Sequence, residues 1–84
     1  MAHRYGLPIR VQLDHDGVPI AFTWRGLTHD GTVISTWHLS DRWWDRERQS
    51  DRIYYRLLAP DHQVFEIYRD RTSAGLWILD RVLD

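Results

Sequence analysis

Two aromatic doublets and a run of arginines lie together between residues 41 and 56, and these side chains are the ones best suited to recognition chemistry. The doublets are Trp43-Trp44 and Tyr54-Tyr55. Trp, Tyr and Arg are enriched at the centres of protein interfaces, and aromatic rings interleaved with arginine also stack on single-stranded bases. The segment therefore predicts a binding surface, whose expected contact residues are Trp43, Trp44, Arg46, Arg48, Arg52 and Tyr54.

The charge of this segment favours a protein partner over nucleic acid. Residues 41–56 contain five arginines and four acids, a balance of +1, whereas a groove that follows a phosphate backbone is normally far more positive. We therefore expect a non-catalytic protein-binding module that is a monomer or a weak homodimer. A single-stranded nucleic-acid-binding barrel is the alternative. A purely structural role also stays open, because adjacent residues of an extended chain point to opposite sides and one ring of each doublet can belong to the core.

The sequence carries no pattern typical of a catalytic or metal site. Its five histidines lie in separate segments, without the His-x-His or His-x-x-x-His spacing that brings two ligands to one metal, and there is no cysteine. The serines lack the glycine-flanked signature of a strained nucleophile turn. The carboxylate pair Asp14 and Asp16 is typical of turn chemistry. We expect neither an enzyme nor a bound cofactor or metal.

Length and composition predict one small domain. A chain of 84 residues buries only about 60 to 65% of its unfolded surface, so a content of 13% aromatic residues compensates for the short chain. The formal net charge of −1 gives no field that would draw the chain to anionic lipid. Without cysteine, a signal-peptide pattern or an apolar run of membrane-spanning length, the protein is expected to be cytoplasmic. We expect residues 7–84 to fold and residues 1–6 to be flexible.

The first half of the chain predicts a β-hairpin followed by a third strand. Apolar and polar residues alternate over residues 7–13 and again over residues 18–24, and the Asp-His-Asp-Gly turn at 14–17 joins the two runs. A turn at Arg25-Gly26 and a turn at Asp30-Gly31 are alternative routes to the next strand, which covers residues 32–38 and is rich in β-branched residues. One turn of helix between residues 39 and 50 is a further alternative.

The second half predicts a meander of three strands. Alternating segments at 53–58 and 64–69 and an apolar segment at 76–83 are separated by turn-forming residues at 60–63 and 69–75. Five or six short strands at spacings near ten residues are typical of an antiparallel sheet that curls on itself. The expected fold is therefore all-β, a single small antiparallel barrel or half-barrel with an SH3-like meander.

The order of several aromatic motifs resembles that of a small bacterial family of unknown function. These motifs are FTWRG at residues 22–26, Trp37, Trp43-Trp44, RIYYR at residues 52–56, IYRD at residues 67–70, and GLWIL at residues 75–79 with a final Asp84. Members of that family are encoded near genes for error-prone DNA synthesis. The part from Trp43 to Trp77 is also similar to the C-terminal segment of ImuB-type proteins, which are catalytically inactive relatives of Y-family polymerases. The resemblance implies an accessory binding role in translesion synthesis.

Overall fold

The structure is a computed structural model that describes residues 3–41 and 50–83. All of its regular elements in these ranges are β-strands, which confirms the predicted fold class. No helix among the described residues is long and apolar enough to cross a membrane. The eight strands are β1 (His3–Pro8), β2 (Arg10–Leu13), β3 (Pro19–Trp24), β4 (Leu27–Asp30), β5 (Thr32–Asp41), β6 (Ser50–Leu58), β7 (Val64–Asp70) and β8 (Leu76–Leu83).

The strands form two antiparallel sheets, not the single barrel or half-barrel of five to six strands that the sequence led us to expect. The larger sheet has the order β1-β8-β7-β6-β5, and the smaller has the order β2-β3-β4. No closed barrel forms within the described ranges, and the domain is a small β-sandwich-like arrangement. The predicted meander is present as β5 to β8, because each of these strands pairs with the next one along the chain.

The two sheets separate at Ile9, where the predicted strand 7–13 is broken. Pro8 has no N–H and ends β1. The N–H of Ile9 donates to the carbonyl oxygen of Trp77 at 3.0 Å, after which the chain leaves β8 and β2 pairs with β3. Strand β1 already begins at His3, four residues before the expected start of the folded part, and it pairs with β8.

The predicted turns join the strands. In the β2–β3 hairpin, Asp14 Oδ1 accepts hydrogen bonds from the N–H groups of Asp16 and Val18, each at 2.9 Å, and Gly17 has a φ of 80°. Of the two alternative glycine turns, the one at Arg25-Gly26 joins β3 to β4, whereas Gly31 is a single residue at which the chain passes from β4 in the small sheet to β5 in the large sheet. Of the segment considered for a helical turn, residues 39–41 belong to β5, and residues 42–49 lie outside the described residues.

The main core lies between the sheets, on the inner face of the larger sheet. Its buried side chains are Phe22 from the small sheet and Leu57, Ala59, Phe65, Ile67, Leu79 and Val82 from the large sheet and its β6–β7 turn. Phe22 and Phe65 pack edge to face, with ring centroids 5.0 Å apart. Because successive strand residues point to opposite sides, Tyr54, Tyr68 and Ile78 form a second buried cluster on the outer face.

Candidate functional site

The outer face of the five-stranded sheet carries aromatic and charged side chains in register. Strand pairing aligns Trp37, Tyr54, Tyr68 and Ile78 across β5, β6, β7 and β8. The neighbouring rows on the same face are Ser35, Arg56, Glu66, Arg81 and Arg4 on one side, and Leu39, Arg52, Asp70 and Leu76 on the other. We call these three rows the arginine–aromatic face.

Three rings form the centre of the arginine–aromatic face. The rings of Trp37 and Tyr54 stack with a centroid separation of 5.1 Å and an angle of 2° between their planes. Tyr54 also contacts Tyr68, with centroids 5.1 Å apart. Because neighbours flank it on both sides, Tyr54 is only 8% exposed, whereas Trp37 on the edge strand is 36% exposed. Trp37 therefore presents the solvent-accessible ring of this row.

Arg52 covers the tyrosines from the adjacent row. Its guanidinium carbon lies 4.6 Å from the centroid of the Tyr68 ring, and its Nη1 donates a hydrogen bond of 3.3 Å to the Tyr54 hydroxyl. An arginine in this position stabilises the rings by cation–π attraction and shields them with its own aliphatic stem. Burial raises the pKa of the Tyr68 hydroxyl, which therefore stays neutral.

An ion triad across three strands lies beside the aromatic row. Glu66, only 1% exposed, accepts hydrogen bonds from Arg56 Nη2 and Arg81 Nε, both at 2.6 Å. Burial alone would raise the pKa of Glu66, but the hydrogen bonds from Arg81 and Arg56 outweigh burial and hold it below its ordinary value. The guanidinium of Arg56 also lies 5.5 Å from the Trp37 ring centroid. The triad thus fixes a cation beside the exposed indole.

The structure describes two of the six predicted contact residues. Arg52 and Tyr54 both lie on β6 and belong to the arginine–aromatic face, where Tyr54 is covered by its neighbours. Trp43, Trp44, Arg46 and Arg48 lie outside the described residues. Sequence reasoning missed Trp37 as a member of the site. Because successive strand residues point to opposite faces, a strand here could have indicated that Trp37 shares a face with Leu39, but not that it stacks on Tyr54.

A second arginine–aromatic contact lies at the β3–β4 turn. The guanidinium carbon of Arg25 is 4.5 Å from the Trp24 ring centroid and 5.7 Å from that of Tyr5. Arg25 has a φ of 53° and Gly26 a φ of 76°, so both central residues of the turn are left-handed and match the tight turns that join twisted strands. Arg25 and Arg10 line an open cavity of about 330 Å³. Trp24 lies on the small sheet and Tyr5 on β1 of the large sheet, so this contact joins the two sheets and involves neither Arg52 nor Tyr54.

One histidine–carboxylate pair is present on the edge of the large sheet. His38 Nε2 and Asp51 Oδ1 are 2.5 Å apart, and the side chain of His38 is about half exposed. Among the described residues, Asp51 is the hydrogen-bond partner of the His38 ring, and no group of three or more histidine or acidic residues is arranged to hold a metal ion. The pair orients an imidazole and links β5 to β6.

Comparison with known proteins gives a family match and nothing more specific. The sequence model of a family described as a domain of unknown function, DUF6504, matches residues 2–84. Comparison with curated proteins and with solved structures gave no match.

Proposed function

The chain belongs to the DUF6504 family, and we propose that it is a non-catalytic protein-binding module of the DNA-damage tolerance machinery. The partner is a protein of an error-prone polymerase complex. The contact surface comprises the arginine–aromatic face together with the adjoining segment 42–49, and so includes Trp43, Trp44, Arg46, Arg48, Arg52 and Tyr54. The assignment to translesion synthesis is supported by the resemblance to proteins encoded near error-prone polymerase genes and to the C-terminal segment of ImuB-type proteins.

The observation that carries the binding role is the exposed indole of Trp37 on a rigid support. Tyr54 stacks on one side of the ring, and Arg56 is held beside it by Glu66. A ring and a cation that are already fixed lose little conformational freedom when a partner covers them. Rigid Trp, Tyr and Arg side chains are the residues that dominate binding energy at protein interfaces.

Direct binding of single-stranded DNA is less well supported by this geometry. Bases stack on accessible aromatic planes, but Tyr54 and Tyr68 are buried among their neighbours and Trp37 alone among the three rings is partly exposed. Glu66 also neutralises part of the charge of Arg56 and Arg81. A groove that follows phosphates would offer several cations without such pairing.

A binding experiment with purified components tests the proposal. The ImuB-type protein and the error-prone polymerase from the same genome are immobilised separately, and the wild-type chain is compared with Trp37→Ala, Arg52→Ala, Trp43→Ala and Trp44→Ala. Leu27→Ala is the matched control, because Leu27 is an exposed apolar residue on the other sheet. We expect Trp37→Ala and at least one variant in the segment 42–49 to weaken binding about tenfold or more, equivalent to about 1.4 kcal/mol, and the control to bind like wild type.

The outcomes separate the candidate functions. If the wild-type chain binds neither protein, the assignment to this machinery is wrong. If it binds and all variants bind equally, the surface is wrong. A titration with a single-stranded oligonucleotide at low and at moderate salt is run in parallel: quenching of tryptophan fluorescence that falls steeply with salt would favour the nucleic-acid alternative.

A further inference from the structure

The described strands leave four sheet edges, and three of them carry features that block pairing with another strand. Strand β1 contains Gly6 with a φ of 65°, ends at Pro8 and shifts register between Arg4 and Leu7. Strands β2 and β4 have only four residues each, and β2 also contains a register shift. Short edges, bulges, proline and charged residues are the means by which natural sheets avoid joining one another.

The fourth edge, β5, lacks most of these protections. It has ten residues, and from Thr32 to Ser40 it contains no proline, glycine, lysine, arginine or acid. Its one register shift lies near its start, between Val33 and Ser35. All residues of the stretch 34–40 are exposed. Within that stretch Ile34 is 51% exposed and Leu39 47% exposed. An edge of this length that lacks proline, lysine, arginine and acid over most of its residues and exposes Ile34, Trp37 and Leu39 is a template for an added strand.

We propose that β5 pairs antiparallel with β5 of a second copy of this chain, so that two five-stranded sheets become one ten-stranded sheet. The segment that pairs with β5 must itself be a strand, because the open edge offers backbone N–H and C=O groups as hydrogen-bond partners. A second copy fits, because β5 is self-complementary about His38. In that register Trp37 of each chain lies opposite Leu39 of the other, and the two apolar pairs form on the same face.

Charge and size are consistent with self-association of moderate strength. Residues 35–41 contain no lysine or arginine, and their one acid, Asp41, lies opposite Ser35 of the other chain, so no two acids meet. In the register centred on His38, residues 35–41 of one chain pair with residues 41–35 of the other. These seven residues span about 23 Å, and an interface of that length belongs among the small, weak ones. Because the symmetry axis of an antiparallel pair is perpendicular to the sheet, both arginine–aromatic faces lie on the same side of the dimer. The inference is independent of the identity of any other partner.

Sedimentation velocity of the purified chain alone tests the inference. We expect the weight-average mass to approach that of a dimer as the concentration rises from about 5 to about 500 µM, the range in which weak interfaces associate. Leu39→Lys places on β5 the residue type that natural edges use to prevent pairing, and should raise the dissociation constant about tenfold or more. Leu27→Lys is the matched control, because Leu27 is also an exposed leucine on an edge strand, at 64% exposure, and should leave dimerisation unchanged.

Hydrogen exchange distinguishes the proposed interface from any other. Between low and high concentration, amide protection should increase along residues 35–41 and stay constant in β1, β2 and β4. A chain that remains monomeric over the whole range overturns the inference, as does a dimer that Leu39→Lys leaves intact or that Leu27→Lys weakens equally. A monomer whose residues 35–41 become protected only when another protein is added would identify that protein, and not a second copy, as the source of the added strand.

Discussion

Trp37 and Tyr54 lie opposite each other on β5 and β6, and their ring planes are parallel to within 2°. This contact lies on the outer face of the large sheet, away from the core between the two sheets. Most two-layer β-domains leave one face of each sheet to solvent. Here the outer face has its own small aromatic cluster, and arginines cover it in place of a further layer of the fold.

The stack of Trp37 on Tyr54 should contribute measurable coupling energy to stability. A double-mutant cycle with Trp37→Leu and Tyr54→Leu removes the ring contact and keeps apolar bulk at both positions. We expect a coupling free energy of about 0.5 to 1.5 kcal/mol, the range for aromatic pairs. Circular dichroism reports the unfolding of each of the four proteins as the urea concentration is raised.

A second cycle provides the control for this prediction. Trp37→Leu is combined with Ile67→Val, because Ile67 is buried on the opposite face of the sheet. Their effects on the free energy of unfolding should add to within about 0.5 kcal/mol. Equal coupling in both cycles would show that the Trp37–Tyr54 contact has no special energy.

Replacing Glu66 should destabilise the protein at neutral pH. Glu66→Gln keeps the shape of the side chain but removes the charge that accepts hydrogen bonds from Arg56 and Arg81. The two arginines are about one third exposed, so water compensates part of the loss. We expect the free energy of unfolding at pH 7 to fall by about 1 to 3 kcal/mol. Asp16→Asn, at an exposed turn position, should change it by less than about 0.5 kcal/mol.

The pH dependence of stability gives a separate test of the Glu66 triad. The hydrogen bonds from the arginines lower the pKa of Glu66 in the folded state, so the folded protein binds its proton less readily than the unfolded chain. The stabilisation from Glu66 is therefore complete above the unfolded pKa of about 4.3 and is lost as the pH falls through the folded pKa. Between pH 5 and pH 3, the free energy of unfolding should fall more steeply for wild type than for Glu66→Gln. Parallel curves would contradict the assigned cause of the pKa shift.

The strands of the meander could be predicted from the sequence because each has local signals. The turns at residues 60–63 and 69–75 are rich in turn-forming residues, and the segments between them alternate. The local sequence of β1 argues against a strand, since Gly6 and Pro8 both disfavour strand structure. It forms because β8 offers an edge with which it can pair. The break at Ile9 likewise depends on a hydrogen bond to the distant Trp77, and alternation alone cannot reveal it.

The composition of the site could be predicted, but not its contacts. A cluster of Trp, Tyr and Arg was evident in the sequence, and Arg52 and Tyr54 belong to the observed face. The role of Trp37 depends on the register of β5 against β6, which pairs residues 17 positions apart in sequence. Glu66 is an acid between two apolar residues of β7, Phe65 and Ile67, and such a position indicates a buried charge. The sequence contains eleven arginines and does not indicate which two pair with it.

The close approach of Gly31 to Leu57 gives a further prediction about the junction of the two sheets. Gly31 lies between β4 and β5, and its N–H donates to the carbonyl oxygen of Ile20 at 3.0 Å. A Cβ at Gly31 would lie 2.9 Å from Cβ of Leu57, which is itself fully buried. Because Cβ of Leu57 is fixed to the backbone of β6, neither side chain can rotate to relieve the contact, and the backbone at Gly31 or at Leu57 must shift.

Gly31→Ala should therefore lower the free energy of unfolding by about 1 to 3 kcal/mol, the usual cost of overpacking, measured by thermal or urea denaturation. Gly26→Asn is the matched control. Gly26 has a φ of 76° and open space around its Cα, and asparagine tolerates the left-handed conformation better than other residues with a side chain. We expect the control to cost less than about 1 kcal/mol. If Gly31→Ala is as stable as wild type, the distance between β6 and the β4–β5 junction is larger than the structure gives.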